Sequence, residues 1–213
     1  MKVPARYHSS VFINCPFDPQ FDPLFDAIVF GIYDCGFKPR CARETESSGI
    51  ARIQFIMGLI AECRLAVHDL SRVELSIPTG GAVTDGLPRF NMPLELGLFM
   101  GAKHFGGHHH ARKNCIIFDT EQYRYQKLVS DVAGQDIKAH HNDPAQAIRQ
   151  IRNWLAAEAP TVRIPGGSAI AGRYIAFREA LPDLARAVRQ EVAELKFVDY
   201  CALTESWLAA NAW

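Results

Sequence analysis

The side chains able to do chemistry in this sequence are a few carboxylates, arginines and amides set among apolar neighbours. Glu95 stands in Phe90-Asn91-Met92-Pro93-Leu94-Glu95-Leu96-Gly97, followed by a run of small and apolar residues. Pro93 reads as the first residue of a helix, because the amide hydrogen it lacks would have no intrahelical partner there. Glu95 then falls in the first turn, where free N–H groups and the helix dipole favour a negative charge. It can be a plain helix-start carboxylate, with Asn91 or Met92 as the cap and Glu95 in capping-box position. It can equally be a functional group, since the helix around it is too apolar for a surface helix.

A second carboxylate, Asp69, ends Leu65-Ala66-Val67-His68-Asp69 and precedes Leu70-Ser71-Arg72. An Asp at a strand end is often only a turn or cap residue. Arg40, Arg43 and Arg72 are suited to holding phosphate or pyrophosphate, although Arg43 beside Glu44 also fits a weak surface ion pair. Phe17, after Cys15-Pro16, is either a core residue or a stacking platform. The stretch His108–His110 lies beside Gly106-Gly107; adjacent histidines do not converge on one ion, so a solvated loop is expected and no metal site.

These groups need a scaffold to bring them together. Residues 10–15 form a short β-branched and aromatic run, a buried strand. Residues 21–35 show helical apolar spacing stopped by Gly36. Residues 37–43 read as a second strand whose Pro39 calls for an edge position. A helix over 50–63, with Ile53, Ile56, Met57 and Ile60 on one face, leads into the third strand at 65–69. After the Glu95 helix come a strand at 115–119, a helix over 122–132, a short fifth strand at 134–137 and a helix over 144–157. Alternating strands and helices with short connections predict an α/β fold, a flavodoxin-like parallel sheet of four to five strands with helices on both faces. Residues 73–86 form a long Gly-, Pro- and Thr-containing loop, a length that tends to be functional. Past residue 160 the pattern changes to two amphipathic helices, 172–196 and 198–211. The expected organisation is an α/β domain over 1–160 and a C-terminal helical appendage over 161–213.

In open α/β sheets ligands bind beyond the carboxyl ends of the strands, where strand order reverses. With strand order 2-1-3-4-5, that crevice receives Cys15-Pro16-Phe17, Asp69 to Arg72 and the start of the Glu95 helix, with Arg40 and Arg43 leaning over from the second strand. Equal totals of 23 acidic and 23 basic residues leave no electrostatic footprint for nucleic acid or an anionic membrane. No apolar run reaches the roughly 18 residues needed to span a bilayer. Six cysteines, none in a C-x-x-C pair, suggest a reduced, cytoplasmic protein. The glycine-rich dinucleotide fingerprint, the P-loop and the G-x-S-x-G elbow are all missing.

Taken together, Val11-Phe12-Ile13 leading to Pro16-Phe17, then Val67-His68-Asp69-Leu70-Ser71-Arg72, then Asn91-Met92-Pro93-Leu94-Glu95-Leu96-Gly97 resemble the TIR-like and nucleoside 2-deoxyribosyltransferase superfamily. The helix run Gly101-Ala102-Lys103 and the loop over 43–49 are similar to that family's pattern as well. The resemblance covers roughly residues 9–157 and leaves out the C-terminal helices. His68-Asp69 departs from the usual Ala-Asp pair, and 73–86 is an insertion before the Glu helix.

The resemblance implies cleavage of an N-glycosidic bond, in nucleosides or at the nicotinamide riboside bond of NAD. A Glu at the start of the helix after the third strand is catalytic in that family, and Glu95 matches it. From their place around the crevice, Asp69 is the second catalytic candidate, and Pro16, Phe17, Arg40, Arg43, Ser71, Arg72, Asn91 and Met92 are the candidate substrate-binding residues. NAD would be a substrate, with no cofactor and no metal. The family also implies a bacterial antiphage effector switched on by assembly. Independently of the resemblance, the apolar positions of the two C-terminal helices exceed what a detached pair could bury, so they are expected to pack on the core, on a second copy or protein partner, or on both. A nucleoside or nucleotide deoxyribosyltransferase, and a non-catalytic nucleotide-sensing or scaffolding module, are the alternatives. A neutral leaving base would need a general acid, for which Asp69 or His68 is the candidate; nicotinamide leaves without one.

Overall fold

A computed structural model describes residues 3–73, 90–127, 129–132 and 134–213. The expected loop over 73–86 therefore lies outside the described residues beyond Val73, and so does Arg89. In chain order the elements are β1 (Ser10–Asn14), α1 (Asp22–Asp34), β2 (Lys38–Cys41), α2 (Arg52–Glu62) and β3 (Leu65–Asp69). There follow α3 (Asn91–Phe105), β4 (Asn114–Asp119), β5 (Lys138–Ala139), α4 (Pro144–Glu158), α5 (Gly167–Ala187) and α6 (Phe197–Ala210). The strands form one parallel sheet in the order β2-β1-β3-β4-β5. It is an α/β, flavodoxin-like architecture.

β1 and β3 are buried at every position, as the interior strands of a parallel sheet covered on both faces must be. β2 alternates between half-buried and buried residues and holds Pro39 at the sheet edge, where a missing N–H costs no ladder bond. Side chains alternate across the sheet. Val11, Ile13, Leu65, Val67, Ile116 and Phe118 face α1 and α4, whereas Phe12 and Ala66 face α2 and α3. α1 ends at Gly36, whose φ of 82° lets Gly36 N–H reach the Tyr33 carbonyl and Phe37 N–H reach the Ile32 carbonyl.

Several expectations are corrected. On α2 the buried residues are Ile56, Leu59 and Ile60, while Ile53 and Met57 are 40% and 45% exposed, so the inward face is rotated away from the one the isoleucine spacing suggests. The stretch 122–132 is not a helix: it makes two short 3-10 turns, Arg124–Lys127 and Ser130–Val132. The fifth strand lies at Lys138–Ala139, later than expected, and pairs only with the end of β4. His108–His110 is solvated only in part: His108 is exposed and His109 half-buried. The stretch opens a 3-10 turn in which His110 is buried and its Nδ1 lies 3.1 Å from the Tyr7 hydroxyl. No group of three metal-ligating side chains occurs among the described residues.

The C-terminal helices pack on α1 and α4 and belong to the same apolar cluster as the sheet. Phe177 stacks on Phe30 with ring centroids 5.2 Å apart, and the Tyr174 and Tyr200 hydroxyls donate to the Pro23 and Asp26 carbonyls. The apolar side chains expected to need a partner are thus largely taken up by the chain's own core. No helix among the described residues is long and apolar enough to cross a membrane.

Candidate active site

The carboxyl ends of β1 and β3 meet the start of α3 at the place where strand order reverses. Asn14, the last residue of β1, fixes that junction: its Nδ2 donates to the Met92 carbonyl at 2.9 Å and lies 2.9 Å from His68 Nδ1. The helix begins at Asn91, two residues before Pro93, and Phe90 occupies the cap position without a side-chain cap bond. Glu95 is consequently two residues further in than the sequence suggests, in the second turn, and neither the first-turn placement nor the capping box holds.

The position changes the electrostatics. Glu95 is only 8% exposed and makes no hydrogen bond to any described residue. Burial pushes its carboxyl up to about 7, with the Arg52 guanidinium at the start of α2 opposing the rise. The helix terminus does not keep it firmly ionised, as a first-turn Glu would be. Cys15 ties the two carboxylates to one place: burial raises its thiol well above the ordinary range, and the charges of Asp69 and Glu95 add to the rise.

Asp69 is fully buried and saturated with donors. Ser71 N–H donates to Oδ1 at 2.9 Å and the Ser71 hydroxyl donates to it at 2.5 Å. His140 Nε2 lies 3.0 Å from Oδ2, and His140 Nδ1 accepts the Asn142 N–H at 2.9 Å. The proton of His140 is therefore on Nε2, donated to Asp69. His140 is the residue that sequence reading missed, because its partner is 71 positions away in the chain. His68 is also fully buried, and burial together with the Lys113 charge lowers its pKa to about 3.

The other candidates divide between the crevice and its surroundings. Pro16 is buried, and half-buried Phe17 packs against the clusters on both faces of the sheet, capping its end. The Arg43 guanidinium lies 4.5 Å from the Phe17 ring centroid, and its Nη1 and Nη2 donate to Asp22 Oδ1. Arg43 thus pairs with Asp22, not Glu44. Arg72 reaches back across the opening to Asp18 and Gln20, linking the loops after β1 and β3. Asn91 is exposed at the start of α3, and Met92 is buried beneath it. Ser71 serves Asp69. Arg40 is not brought to the crevice: it turns to the outer edge of β2 and pairs with Glu44 at 2.6 Å and Glu62 at 3.2 Å.

What converges is a carboxylate whose pKa is raised by burial and which has no hydrogen bond among the described residues, a locked second carboxylate, an aromatic cap and a set of arginines. Such a place can stabilise a developing cation at Glu95 and hold an anionic group nearby. No family model matches the chain, and no curated protein matches it in sequence.

Proposed function

We propose that the chain is a TIR-like N-glycosidase that cleaves NAD, or a related nucleotide, at its nicotinamide riboside bond. As the C1′–N bond breaks, its electron pair leaves with nicotinamide and neutralises the positive ring. Cationic character builds on the ribose, where the Glu95 carboxylate lowers the barrier by attack or by electrostatics. Water then supplies the hydroxyl at C1′ and releases its proton.

The observation that favours NAD over a nucleoside is the state of the two candidate acids. A neutral base must be protonated as it leaves. Asp69 accepts from Ser71 and His140 with no exposure, and His68 is buried with a pKa of about 3. A substrate whose leaving group already carries a positive charge needs neither. NAD depletion by such an enzyme would fit a defence effector switched on by assembly.

The test is incubation of the full chain with NAD and, separately, with purine and pyrimidine nucleosides, products being separated by chromatography. Nicotinamide release by the wild type and at least a hundredfold loss in Glu95→Gln are expected. Equal turnover by the variant, or base exchange between nucleosides with NAD left intact, would remove the proposal.

A further inference from the structure

Beyond the carboxylates, a cavity of about 340 Å³ opens where the loop after β2 meets the start of α6. Arg43, Thr45, Arg52 and Lys196 line it, with Glu46 at its rim and Phe197 in its wall. The three cations come from three parts of the chain: the turn after β2, the first residue of α2 and the residue capping α6. From this geometry we infer that the C-terminal helices complete an anion pocket, taking the phosphomonoester or diphosphate group of a ligand whose other end reaches Glu95. The inference rests on the proposed glycosidic cleavage for the identity of the whole ligand, but not for its anionic end.

Charge supports the assignment. Arg52 makes no ion pair with any described residue, and its field is felt at Glu95, which connects the pocket with the crevice. Among the described residues Lys196 pairs only with Glu46, at 3.1 Å, and both side chains are largely exposed, at 67% and 79%. Such a pair is worth little and yields readily to a better anion. Arg43 keeps Asp22 on one side of its guanidinium while lining the cavity, so it can bridge the aromatic cap and a phosphate. Arg52 and Lys196 also stand where helices α2 and α6 begin, and each dipole adds to the positive potential. Neither the sheet nor its crossover helices alone would make this wall; Lys196 and Phe197 belong to the helices that the family resemblance leaves out.

Calorimetric titration of the full chain with inorganic pyrophosphate at low ionic strength tests the pocket. One saturable site is expected, weakened at least tenfold by Lys196→Glu and by Arg52→Glu, two exposed positions where folding is checked by circular dichroism. No saturable binding, or an affinity unmoved by Lys196→Glu, would overturn the inference. Charge-sensitive pyrophosphate binding without cleavage of any N-glycoside keeps the pocket and removes the glycosidase. Cleavage of NAD with an unchanged KM in Lys196→Glu does the reverse. Competition of pyrophosphate with NAD is expected, because the pocket then holds the substrate's own diphosphate; a change in kcat alone would mean an anion that does not reach Glu95 and would overturn the inference.

Discussion

Glu95 carries an energetic cost in the folded chain that bears directly on its use. A carboxylate with no hydrogen-bond partner among the described residues at 8% exposure is held neutral by its surroundings up to a pKa of about 7. Because the folded value lies above the ordinary one, the protonated group contributes stability at low pH, and that contribution is lost as pH rises from about 4.5 through about 7. Glu95→Gln, which cannot ionise, should therefore match the wild type in thermal stability near pH 4 and exceed it at pH 8 by about 1–3 kcal/mol. Melting curves at the two values check this, and a variant less stable at pH 8 would mean that Glu95 has a structural partner. Activity should run the other way. Stabilising a ribosyl cation requires the ionised form, so NAD cleavage should rise with pH along a limb centred near 7. A rate that falls through that range would point to Glu95 as a proton donor instead. The type and neighbourhood of Glu95 were legible in the sequence. Its protonation state was not, because a helix start two residues earlier moved it from a charge-favouring terminus to an apolar interior.

At the scale of elements, side-chain bonds between distant segments hold the ends of the strands in place. Asp69 at the end of β3 and His140 just after β5 are joined across β4, which lies between those strands. His140→Ala would take a donor from a buried carboxylate and leave a void as well, and it should cost about 3 kcal/mol. Urea unfolding would measure it, and a change below about 0.5 kcal/mol would mean that water replaces the imidazole without penalty. No periodicity signals such a bond, so His140 could be found only in three dimensions. The strands were easier: β3 is a fully buried apolar run with a terminal Asp, and it lies where the sequence puts it. The helix expected over 122–132 failed for a physical reason. Tyr123 has a φ of 67°, outside helical space, and Arg124 is drawn to Asp119 and the Leu70 carbonyl, so the chain turns tightly instead of running on. The α2 face failed because isoleucine and methionine at helical spacing identify an amphipathic helix without saying which apolar residues the sheet will take.

For the molecule as a whole the question is whether α5 and α6 are an appendage or part of one cooperative unit. The sequence showed a change of character past residue 160, and by itself that change suggests a boundary. Packing argues for one unit. Phe177 is fully buried, stacked on Phe30 of α1 and edge-on to Tyr200 and Trp207 of α6, so one ring joins three helices. Ion pairs run the same way, from Arg173 to Asp34 and from Arg178 to Asp26. Asp26 nonetheless has its carboxyl pushed up to about 6 by burial, with Arg178 only partly offsetting it, so this contact is loosened rather than tightened as pH falls below 6. At the entrance to α5, a Cβ built on Gly167 would come within 2.9 Å of the Arg149 Cα, so the helix pair approaches α4 closely enough to exclude a side chain there. Phe177→Ala removes an aromatic ring at this junction and should cost about 3–5 kcal/mol. If the chain is one unit, calorimetry will show a single transition shifted down as a whole, with the CD signals of sheet and helices lost together. If α5 and α6 form an appendage, the variant will show an early, small transition while the sheet melts at the wild-type temperature. The distinction bears on function, because Lys196 and Phe197 can hold the anion pocket in place only if the helices beyond residue 166 fold with the sheet.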